Sequence, residues 1–355
     1  MSVIFWIKTK FDPNTKIQTM KRVVLPAYNK NIIRALRSLR VEACGPLEPG
    51  KNEVLIKVHA APCNPSDIAF LMGGYNIVKP LPAVPGFEGS GVVVEAGEGA
   101  EDLIDRKVSF FIQEEDCGNW SEYVVSDRKK LVVLDEEMDM DQAACFAINP
   151  FTARGLLDIA LLRDNKTIIQ NAAGGQVAAF VRQMATDMGI EVIDIVRKER
   201  TLNRLQSEGA QHVLLESDPE FEKKLKAWAE QLDARLAFDA VGGTLAGQIF
   251  NAMPADAELV AYGGLSTKPV AGVDSMHLIF RDKIISGFNL PEWREQMDDD
   301  FFDQVSREMQ HLFISGKYKT KIQGSVGFAE IGDGLIRCLR NLSKGKMLVK
   351  AEVSN

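Results

Sequence analysis

The chain has 355 residues, a length that favours two domains. Its composition, 46% hydrophobic and 26% charged, is typical of a globular protein that can bury a core without disulfides or a structural metal. The 42 basic and 49 acidic residues give a formal net charge of −7, which argues against a nucleic-acid-binding protein because such proteins need a basic face.

The N-terminal segment lacks the pattern of a secretory signal. Its apolar run, Val3 to Ile7, is short and is followed by Lys8 and Lys10. No stretch of the sequence approaches the ~18 uncharged apolar residues of a membrane span. We therefore predict a cytoplasmic protein with no membrane partner. Met20 precedes a strand-like segment, and residues 1–19 are interpreted as an N-terminal appendage.

The cysteines and histidines predict neither a disulfide framework nor a metal site. The cysteines form no CxxC pair and the histidines form no HExxH motif. A scattered, odd-numbered set indicates free thiols in a reducing compartment. The cysteines are Cys44, Cys63, Cys117, Cys145 and Cys338, and the histidines are His59, His212, His277 and His311.

The first part of the chain, to about residue 148, is rich in β-branched runs that are separated by Gly and Pro. Short strands at this spacing predict an antiparallel barrel or sandwich. The clearest runs are Val54–Val58, Gly91–Glu95, Lys107–Ile112 and Glu122–Val125.

The middle part, residues 149–290, alternates apolar strands with amphipathic helices. Near-continuous apolar strands of this kind predict a doubly wound parallel sheet that is covered by helices on both faces. The six predicted strands are Thr167–Ala172, Glu191–Val196, Gln211–Leu215, Arg235–Val241, Ala257–Tyr262 and Lys283–Phe288.

The tail carries one acidic helix, Asp298–Ser315, and a terminal strand. Because these elements cannot bury a core alone, we assign them to the first domain. The predicted organisation is a mainly β domain of residues 1–148 and 291–355, interrupted by a cofactor-binding domain of residues 149–290.

A turn of small residues follows the first strand of the predicted parallel sheet. Ala173, Gly175 and Ala178 stand at the three key positions of a GxGxxG pattern. Such a turn lets backbone amides and a helix N-terminus approach a pyrophosphate. The alternative is a turn that only packs a helix on a strand. The residues predicted to contact the phosphates are Gly174, Gly175, Gln176 and Val177.

The end of the second strand predicts the choice of cofactor. An NAD enzyme usually has an acidic residue about 20 residues beyond the glycines. This chain has Arg197, Lys198 and Arg200 there, which suit the 2′-phosphate of NADPH. Asp194 lies too early, inside the strand. The alternative is a solvated basic start of a helix.

These motifs and others in the same order resemble the medium-chain dehydrogenase/reductase superfamily, specifically its zinc-free quinone oxidoreductase and 2-enoyl-thioester reductase branches. The likeness runs from about residue 20 to the end. It implies a Rossmann cofactor domain inserted in a GroES-like catalytic domain. The further motifs are Asn64–Asp67, Pro82–Gly89, Gly118–Tyr123, Asn149–Ala153, Val241–Gly243 and Tyr262–Gly264.

The resemblance also implies zinc-independent chemistry. Zinc-dependent members place a Cys ligand where Asn64 stands and a His ligand where Phe87 stands, and Cys63 is one residue out of register. Phe cannot bind zinc, which needs three protein ligands to polarise a carbonyl.

Matching residue by residue, the resemblance implies a catalytic role for Tyr75. A phenol can donate a hydrogen bond or a proton to an oxyanion at neutral pH. The alternative is an exposed loop aromatic. Trp120 and Trp293 are candidate walls of an apolar substrate cleft, or else core aromatics. The residues implied to line or flank the cofactor are Asn64, Thr152, Tyr262, Gly263, Gly264, Phe288 and Leu290.

The leading hypothesis is an NADPH-dependent oxidoreductase that transfers hydride to a quinone or another conjugated carbonyl acceptor. One alternative is a trans-2-enoyl-thioester (CoA/ACP) reductase, and residues 257–293 resemble the mitochondrial members of that branch. The acidic net charge favours a small diffusible acceptor. An alternative of another class is a non-catalytic, crystallin-like NADPH-binding protein. Family likeness further implies a homodimer through edge strands of the cofactor domain.

Overall fold

In this computed structural model, the structure describes residues 19–339 and 344–352. Apart from residue 19, the predicted N-terminal appendage lies outside the described residues. The chain divides into two compact units at residues 145/146 and 322/323. Unit 1 comprises the described residues up to 145 together with 323–339 and 346–352, and unit 2 comprises the residues between them.

The strands, in chain order, are β1 (Met20–Val24), β2 (Arg40–Cys44), β3 (Glu53–Pro62), β4 (Glu88–Ala96), β5 (Lys107–Phe111), β6 (Tyr123–Asp127), β7 (Leu131–Val133), β8 (Thr167–Gln170), β9 (Glu191–Val196), β10 (His212–Leu215), β11 (Leu236–Asp239), β12 (Glu258–Ala261), β13 (Ile284–Gly287), β14 (Ile322–Gly327) and β15 (Lys346–Lys350).

The α-helices are α1 (Ile32–Ser38), α2 (Pro65–Leu71), α3 (Met140–Ala143), α4 (Asn149–Leu162), α5 (Gln176–Asp187), α6 (Glu199–Ser207), α7 (Phe221–Gln231), α8 (Gly243–Ala252), α9 (Ser275–Phe280), α10 (Leu290–Glu295), α11 (Asp299–Ile314) and α12 (Ile331–Leu339). None of the helices in the described ranges is both long enough and apolar enough to cross a membrane.

Unit 1 is built on antiparallel strand pairs, as its alternating sequence predicts. A seven-stranded sheet has the order β14-β15-β3-β4-β5-β7, with β6 also paired to β3. Strand β3 pairs antiparallel with β4, with β6 and with β15. One core cluster of this unit contains the fully buried rings of Phe70, Phe87 and Trp120. The predicted mainly β domain is therefore confirmed.

Unit 2 contains a six-stranded sheet with the order β10-β9-β8-β11-β12-β13. Every pairing in it is parallel. Counted from β8, this is the order 3-2-1-4-5-6 of doubly wound dinucleotide-binding sheets. Ile168, Ile193 and Leu259 have no exposed surface, as expected for strands that are covered on both faces. The predicted fold class is confirmed, and all six predicted strands are present.

The second division of the chain falls later than residue 290, where the sequence analysis placed it. Helix α11 belongs to unit 2 because its apolar face packs on that unit's aromatic residues. The ring of Phe302 stacks on Phe151 with centroids 5.0 Å apart. The ring of Phe313 lies 5.2 Å from Phe146 and 5.6 Å from Phe180. An isolated amphipathic helix does not reveal in its own sequence which core it covers.

Candidate functional site

In unit 2, four segments that carry candidate cofactor residues lie at one edge of the parallel sheet. Because the strands are parallel, their carboxyl ends meet at this edge, where open α/β sheets bind ligands. The backbone continues the register past the strands: Tyr262 N–H donates to Asp239 O (2.9 Å), and Phe288 N–H donates to Ala261 O (2.9 Å). The segments that follow these strand ends are Gly174–Val177, Arg197–Arg200, Tyr262–Gly264 and Phe288–Leu290.

A buried polar pair that sequence analysis missed joins the two central strand ends. The Asn171 side-chain amide donates to the Asp239 carboxylate, and its oxygen accepts from Ala240 N–H at 2.8 Å. The carboxylate also accepts from the N–H groups of Val241 and Gly242, at 3.0 and 3.1 Å. This pair holds the glycine turn and the start of α8 in a fixed relation. The only signal in the sequence is a polar residue at the end of each apolar strand.

The glycine turn has the geometry that an anion site requires. Gly175 N–H donates to Ala172 O at 2.8 Å, which closes the turn. A Cβ atom at Gly174 would lie 2.8 Å from Cγ2 of Thr201, so a larger residue does not fit there. Helix α5 then starts at Gln176, and its N-cap residue, Gly175, has no side chain that could cap it. Its first N–H groups therefore remain available to an anion, and the turn fits a dinucleotide pyrophosphate.

The charged residues at the end of β9 divide into an exposed set and a buried set. Asp194 is fully buried, and its carboxylate accepts from Arg182 at 3.0 Å and from Gln170 at 2.7 Å. Burial raises the pKa of Asp194, and Arg182 opposes that shift. The Asp194 carboxylate is thus hydrogen-bonded to other side chains inside the fold. The exposed set is Arg197, Lys198 and Arg200.

Two further lysines, which sequence analysis missed, lie beside the start of α5. The Gln176 side chain accepts from Lys321 N–H at 3.2 Å and donates to Lys319 O at 3.5 Å. Both lysine side chains are exposed, and the Lys321 ammonium lies 3.7 Å from Glu208. Their sequence, KYKTK, reads only as a basic segment, because the contact with α5 spans more than a hundred residues.

The predicted aromatic residues of unit 2 pack on helix α4. A Cβ atom at Gly155 would lie 2.5 Å from the Phe288 ring and 3.0 Å from Trp293, so glycine permits their close approach. The Trp293 indole N–H donates to Asp158 at 3.2 Å. Trp293 and Phe288 keep part of their surface exposed, whereas Thr152 is buried in the first turn of α4.

In unit 1, Tyr75 is half-buried against an aromatic floor. Its ring centroid lies 5.3 Å from that of Phe87, and its hydroxyl oxygen accepts from the Gln113 side-chain amide at 3.2 Å. Burial raises the pKa of the phenol, and the hydrogen bond from Gln113 partly opposes this shift. The phenol is therefore protonated at neutral pH and can act as a donor.

Asn64 is the centre of a buried polar cluster in unit 1. Its side chain accepts from the Lys346 ammonium and donates to Glu88 at 2.9 Å. Its N–H donates to Asp67 at 2.6 Å, and Phe87 N–H donates to the same carboxyl group at 3.1 Å. Burial is the main cause that raises the pKa of Asp67 to about 7.

Trp120 occupies a core position, which agrees with the second of its two predicted interpretations. It has no exposed surface and belongs to the core cluster of unit 1 that also contains Phe87. A fully buried ring does not form the wall of an open cleft.

Within the described ranges, no three His, Cys, Asp or Glu side chains are grouped so that they could hold a metal ion.

Two family models match this chain. Residues 50–136 match the alcohol dehydrogenase GroES-like domain, and residues 177–307 match the zinc-binding dehydrogenase model. The mitochondrial enoyl-[acyl-carrier-protein] reductase of Xenopus tropicalis is 35% identical over 79% of this chain and 82% of its own length.

Two solved structures of reductases have a fold similar to that of this chain. A putative NADPH:quinone reductase from Mesorhizobium loti has a TM-score of 0.87 at 31% identity, covering 94% of this chain and 98% of that one. The mitochondrial 2-enoyl thioester reductase heterodimer from Candida tropicalis has a TM-score of 0.75 at 21% identity, covering 94% of this chain and 99% of that one. At this identity, the similarity supports a shared fold and nothing further.

The fold, the glycine turn and these relatives define a nicotinamide-dependent oxidoreductase that acts on a small molecule. The chain belongs to the medium-chain dehydrogenase/reductase superfamily, as its motifs predicted.

The buried carboxyl group of Asp67 generates a pH-dependent expectation. Its pKa is about 7 in the folded state and about 3.9 in the unfolded state. Between these two pH values, the folded state therefore binds more protons than the unfolded state does. The stability contributed by protonated Asp67 is complete below about pH 4 and is lost as the pH rises through about 7. Asp67→Asn cannot ionise. As the pH rises from about 4 to about 7, the free energy of unfolding of this variant should therefore increase relative to that of wild type. Above about pH 7 the difference should level off.

Urea unfolding at several pH values measures this difference. Asp333→Asn, which removes an exposed carboxylate of the same unit, is the matched control. A flat difference for Asp67→Asn would contradict a buried neutral acid.

Proposed function

We propose that this protein is a zinc-independent, NADPH-dependent reductase that transfers hydride to a conjugated carbonyl acceptor. The observation that carries this proposal is the separation of charges at the end of β9. Arg197, Lys198 and Arg200 are exposed there, while Asp194 is buried and paired with Arg182. Exposed cations at this strand end, with the Asp194 carboxylate turned into the fold, suit a 2′-phosphate better than a ribose hydroxyl.

The other cofactor contacts follow from the sheet edge of unit 2. The N–H groups at the start of α5 would hold the pyrophosphate, and the Tyr262–Gly264 and Phe288 segments would flank the cofactor along the same edge. When bound, NADPH supplies the hydride. Asn64 and Thr152 remain our candidates for the nicotinamide end.

Tyr75 is the proposed donor to the acceptor oxygen. Reduction of a conjugated carbonyl places negative charge on that oxygen, and a positioned O–H group stabilises it. Burial keeps the Tyr75 phenol protonated, and its ring is supported by Phe87. These properties are those of a hydrogen-bond donor rather than a base.

Zinc independence is supported by the residues at the two positions where the family's zinc enzymes have Cys and His ligands. The Asn64 side chain is hydrogen-bonded to Lys346 and Glu88. The positive charge of the Lys346 ammonium disfavours a divalent cation at this position, because like charges repel. The Phe87 ring is fully buried and packs against Phe70 at a centroid distance of 5.4 Å.

Two acceptor classes remain as candidates. The similar structure from Mesorhizobium loti is named a quinone reductase, and the similar protein from Xenopus tropicalis is named an enoyl-[acyl-carrier-protein] reductase. A quinone or other small enone suits the acidic net charge. The enoyl thioester is favoured by the exposed Lys319 and Lys321, because a CoA or carrier ligand brings further phosphate.

Charge reversal at Arg197 tests the cofactor. For Arg197→Glu, we expect the Kd of NADPH to rise about tenfold or more, because a charged hydrogen bond to phosphate is worth roughly 1.5–3 kcal/mol. The Kd of NADH should change little. Fluorescence titration measures both constants, and Arg307→Glu, on an exposed face of α11, controls for net charge. Equal weakening of both cofactors would contradict the proposed phosphate site.

Tyr75→Phe tests the chemistry. We expect kcat to fall about 10²-fold, the lower range for loss of a general acid, with the Kd of NADPH unchanged. Tyr123→Phe, a half-buried tyrosine of β6, is the control. Assays in parallel with a benzoquinone and a crotonyl thioester separate the two acceptor classes. Unchanged turnover of every acceptor would remove Tyr75 from the mechanism, and NADPH binding without turnover in wild type would favour a crystallin-like role.

We propose a homodimer that forms through β13, the last strand in the order of the parallel sheet. An edge strand offers unpaired backbone groups to a second copy. Apolar side chains there and on α9 are exposed: Ile279 by 59%, Phe280 by 75% and Ile284 by 48%. A patch of this kind usually marks an interaction site.

Light scattering tests this interface. Ile284→Asp should halve the mass in solution, because a carboxylate in an apolar interface is costly to desolvate. Leu162→Asp, at an equally apolar and 87% exposed position outside the patch, should remain dimeric. A mass that Ile284→Asp leaves unchanged would exclude this edge.

For the compartment, we propose the reducing cytoplasm, with the mitochondrial matrix as the alternative because several curated relatives are named mitochondrial. The described cysteines are all free thiols, which both compartments allow. Subcellular fractionation distinguishes the two.

A further inference from the structure

The side-chain amide of Gln113 lies beside the proposed donor. Its Nε2 atom donates to the hydroxyl oxygen of Tyr75 at 3.2 Å, and both residues are partly buried. We propose that Gln113 is a positioning residue that keeps the phenol proton directed at the acceptor oxygen. This inference rests on the donor role proposed for Tyr75.

The direction of the hydrogen bond is the reason. A phenol has one proton and accepts through its oxygen lone pairs. When Gln113 donates, it occupies a lone pair and leaves the proton unused. Among the described residues, the Tyr75 hydroxyl accepts from Gln113 and donates to no protein atom. A carboxylate or carbonyl in place of the amide donor would instead consume the proton that the acceptor needs.

The loop that carries Gln113 is anchored to the same residue that supports Tyr75. Ile112, directly before it, donates its N–H to Phe87 O at 2.8 Å, and the Phe87 ring supports the tyrosine. Four residues further on, the Cys117 carbonyl accepts from the buried Lys79 ammonium. That ammonium lies 5.3 Å from the centroid of the Phe87 ring. Donor and phenol are thus held on one structural support.

The start of the loop is held by a second set of contacts. Gln113 N–H donates to the side chain of Glu114 at 2.9 Å, and Lys130 forms an ion pair with the same carboxylate. These contacts fix the backbone of Gln113 and limit the positions that its amide can reach. Placement of the amide against Tyr75 is therefore a property of the fold rather than of one rotatable side chain.

The hydrogen bond also adjusts the strength of the phenol as an acid. Burial raises the pKa of Tyr75, and donation from Gln113 opposes this shift because it stabilises the phenolate. A phenol that releases its proton more readily stabilises an oxyanion better. Gln113 thus contributes both orientation and acidity without touching the acceptor.

Substitution of Gln113 in the full-length enzyme tests this inference. Gln113→Leu should lower kcat about tenfold, with the Kd of NADPH unchanged, and should raise the phenol pKa in a UV titration read against Tyr75→Phe. In the Tyr75→Phe background, Gln113→Leu should change kcat less than about twofold, since the two residues act as a unit. Glu115→Gln, an exposed residue of the same loop, is the matched control.

Gln113→Glu gives an independent readout through its pH profile. The carboxylate can only accept, so activity should be lower than in Gln113→Leu at neutral pH. It should recover as the pH falls and the carboxyl group regains a proton to donate. Activity that is equal to wild type across the pH range would show that the amide accepts from Tyr75 and would overturn the inference.

The outcomes separate this inference from the proposed function. If Tyr75→Phe loses turnover and Gln113→Leu does not, only the role of Gln113 fails. An equal loss for Gln113→Leu with and without Tyr75 overturns it as well, because the glutamine then acts elsewhere. If Tyr75→Phe leaves turnover unchanged, the donor role of Tyr75 fails and the inference fails with it.

Discussion

The buried hydrogen bond between Asn171 and Asp239 is the constraint on which the candidate cofactor site, at the carboxyl ends of the parallel strands, depends. It joins the carboxyl ends of β8 and β11 at the point where the strand order of the sheet reverses. The same carboxylate accepts from the Gly242 N–H at the start of α8. Breaking the pair would leave several polar groups buried without partners, each at a cost of about 1–3 kcal/mol. The shape of the glycine turn is thus stabilised from the opposite half of the sheet.

Unit 1 uses a comparable device with aromatic rings instead of a polar pair. Phe87 contacts Phe70 and Tyr75 through its ring, and its backbone accepts from Ile112 and donates to Asp67. Lys79 completes this group with its ammonium over two phenyl faces. One core residue therefore determines the positions of a phenol, a loop and a buried acid.

Much of the fold was predictable from sequence because its signals are local. Buried parallel strands appear as apolar runs, and the turn after β8 shows its small residues directly. The missing parts depend on long-range contacts. Asn171 and Asp239 are 68 residues apart, and Tyr75 and Gln113 are 38 apart. The unit to which α11 belongs is decided by Phe146, Phe151 and Phe180, and a single aromatic such as Trp120 carries no mark of its surroundings.

The pair formed by Arg182 and Asp194 has a consequence for how such a protein can change. It holds α5 against β9 with opposite charges that lie largely within the fold. The cations that face solvent at the end of β9 take no part in this contact. Substitutions among the exposed cations can therefore accumulate without loosening the helix from the sheet. On the proposal that the exposed cations bind the 2′-phosphate, ligand preference and structural stability are encoded by different charges, so natural variation can act on one while the other stays constant.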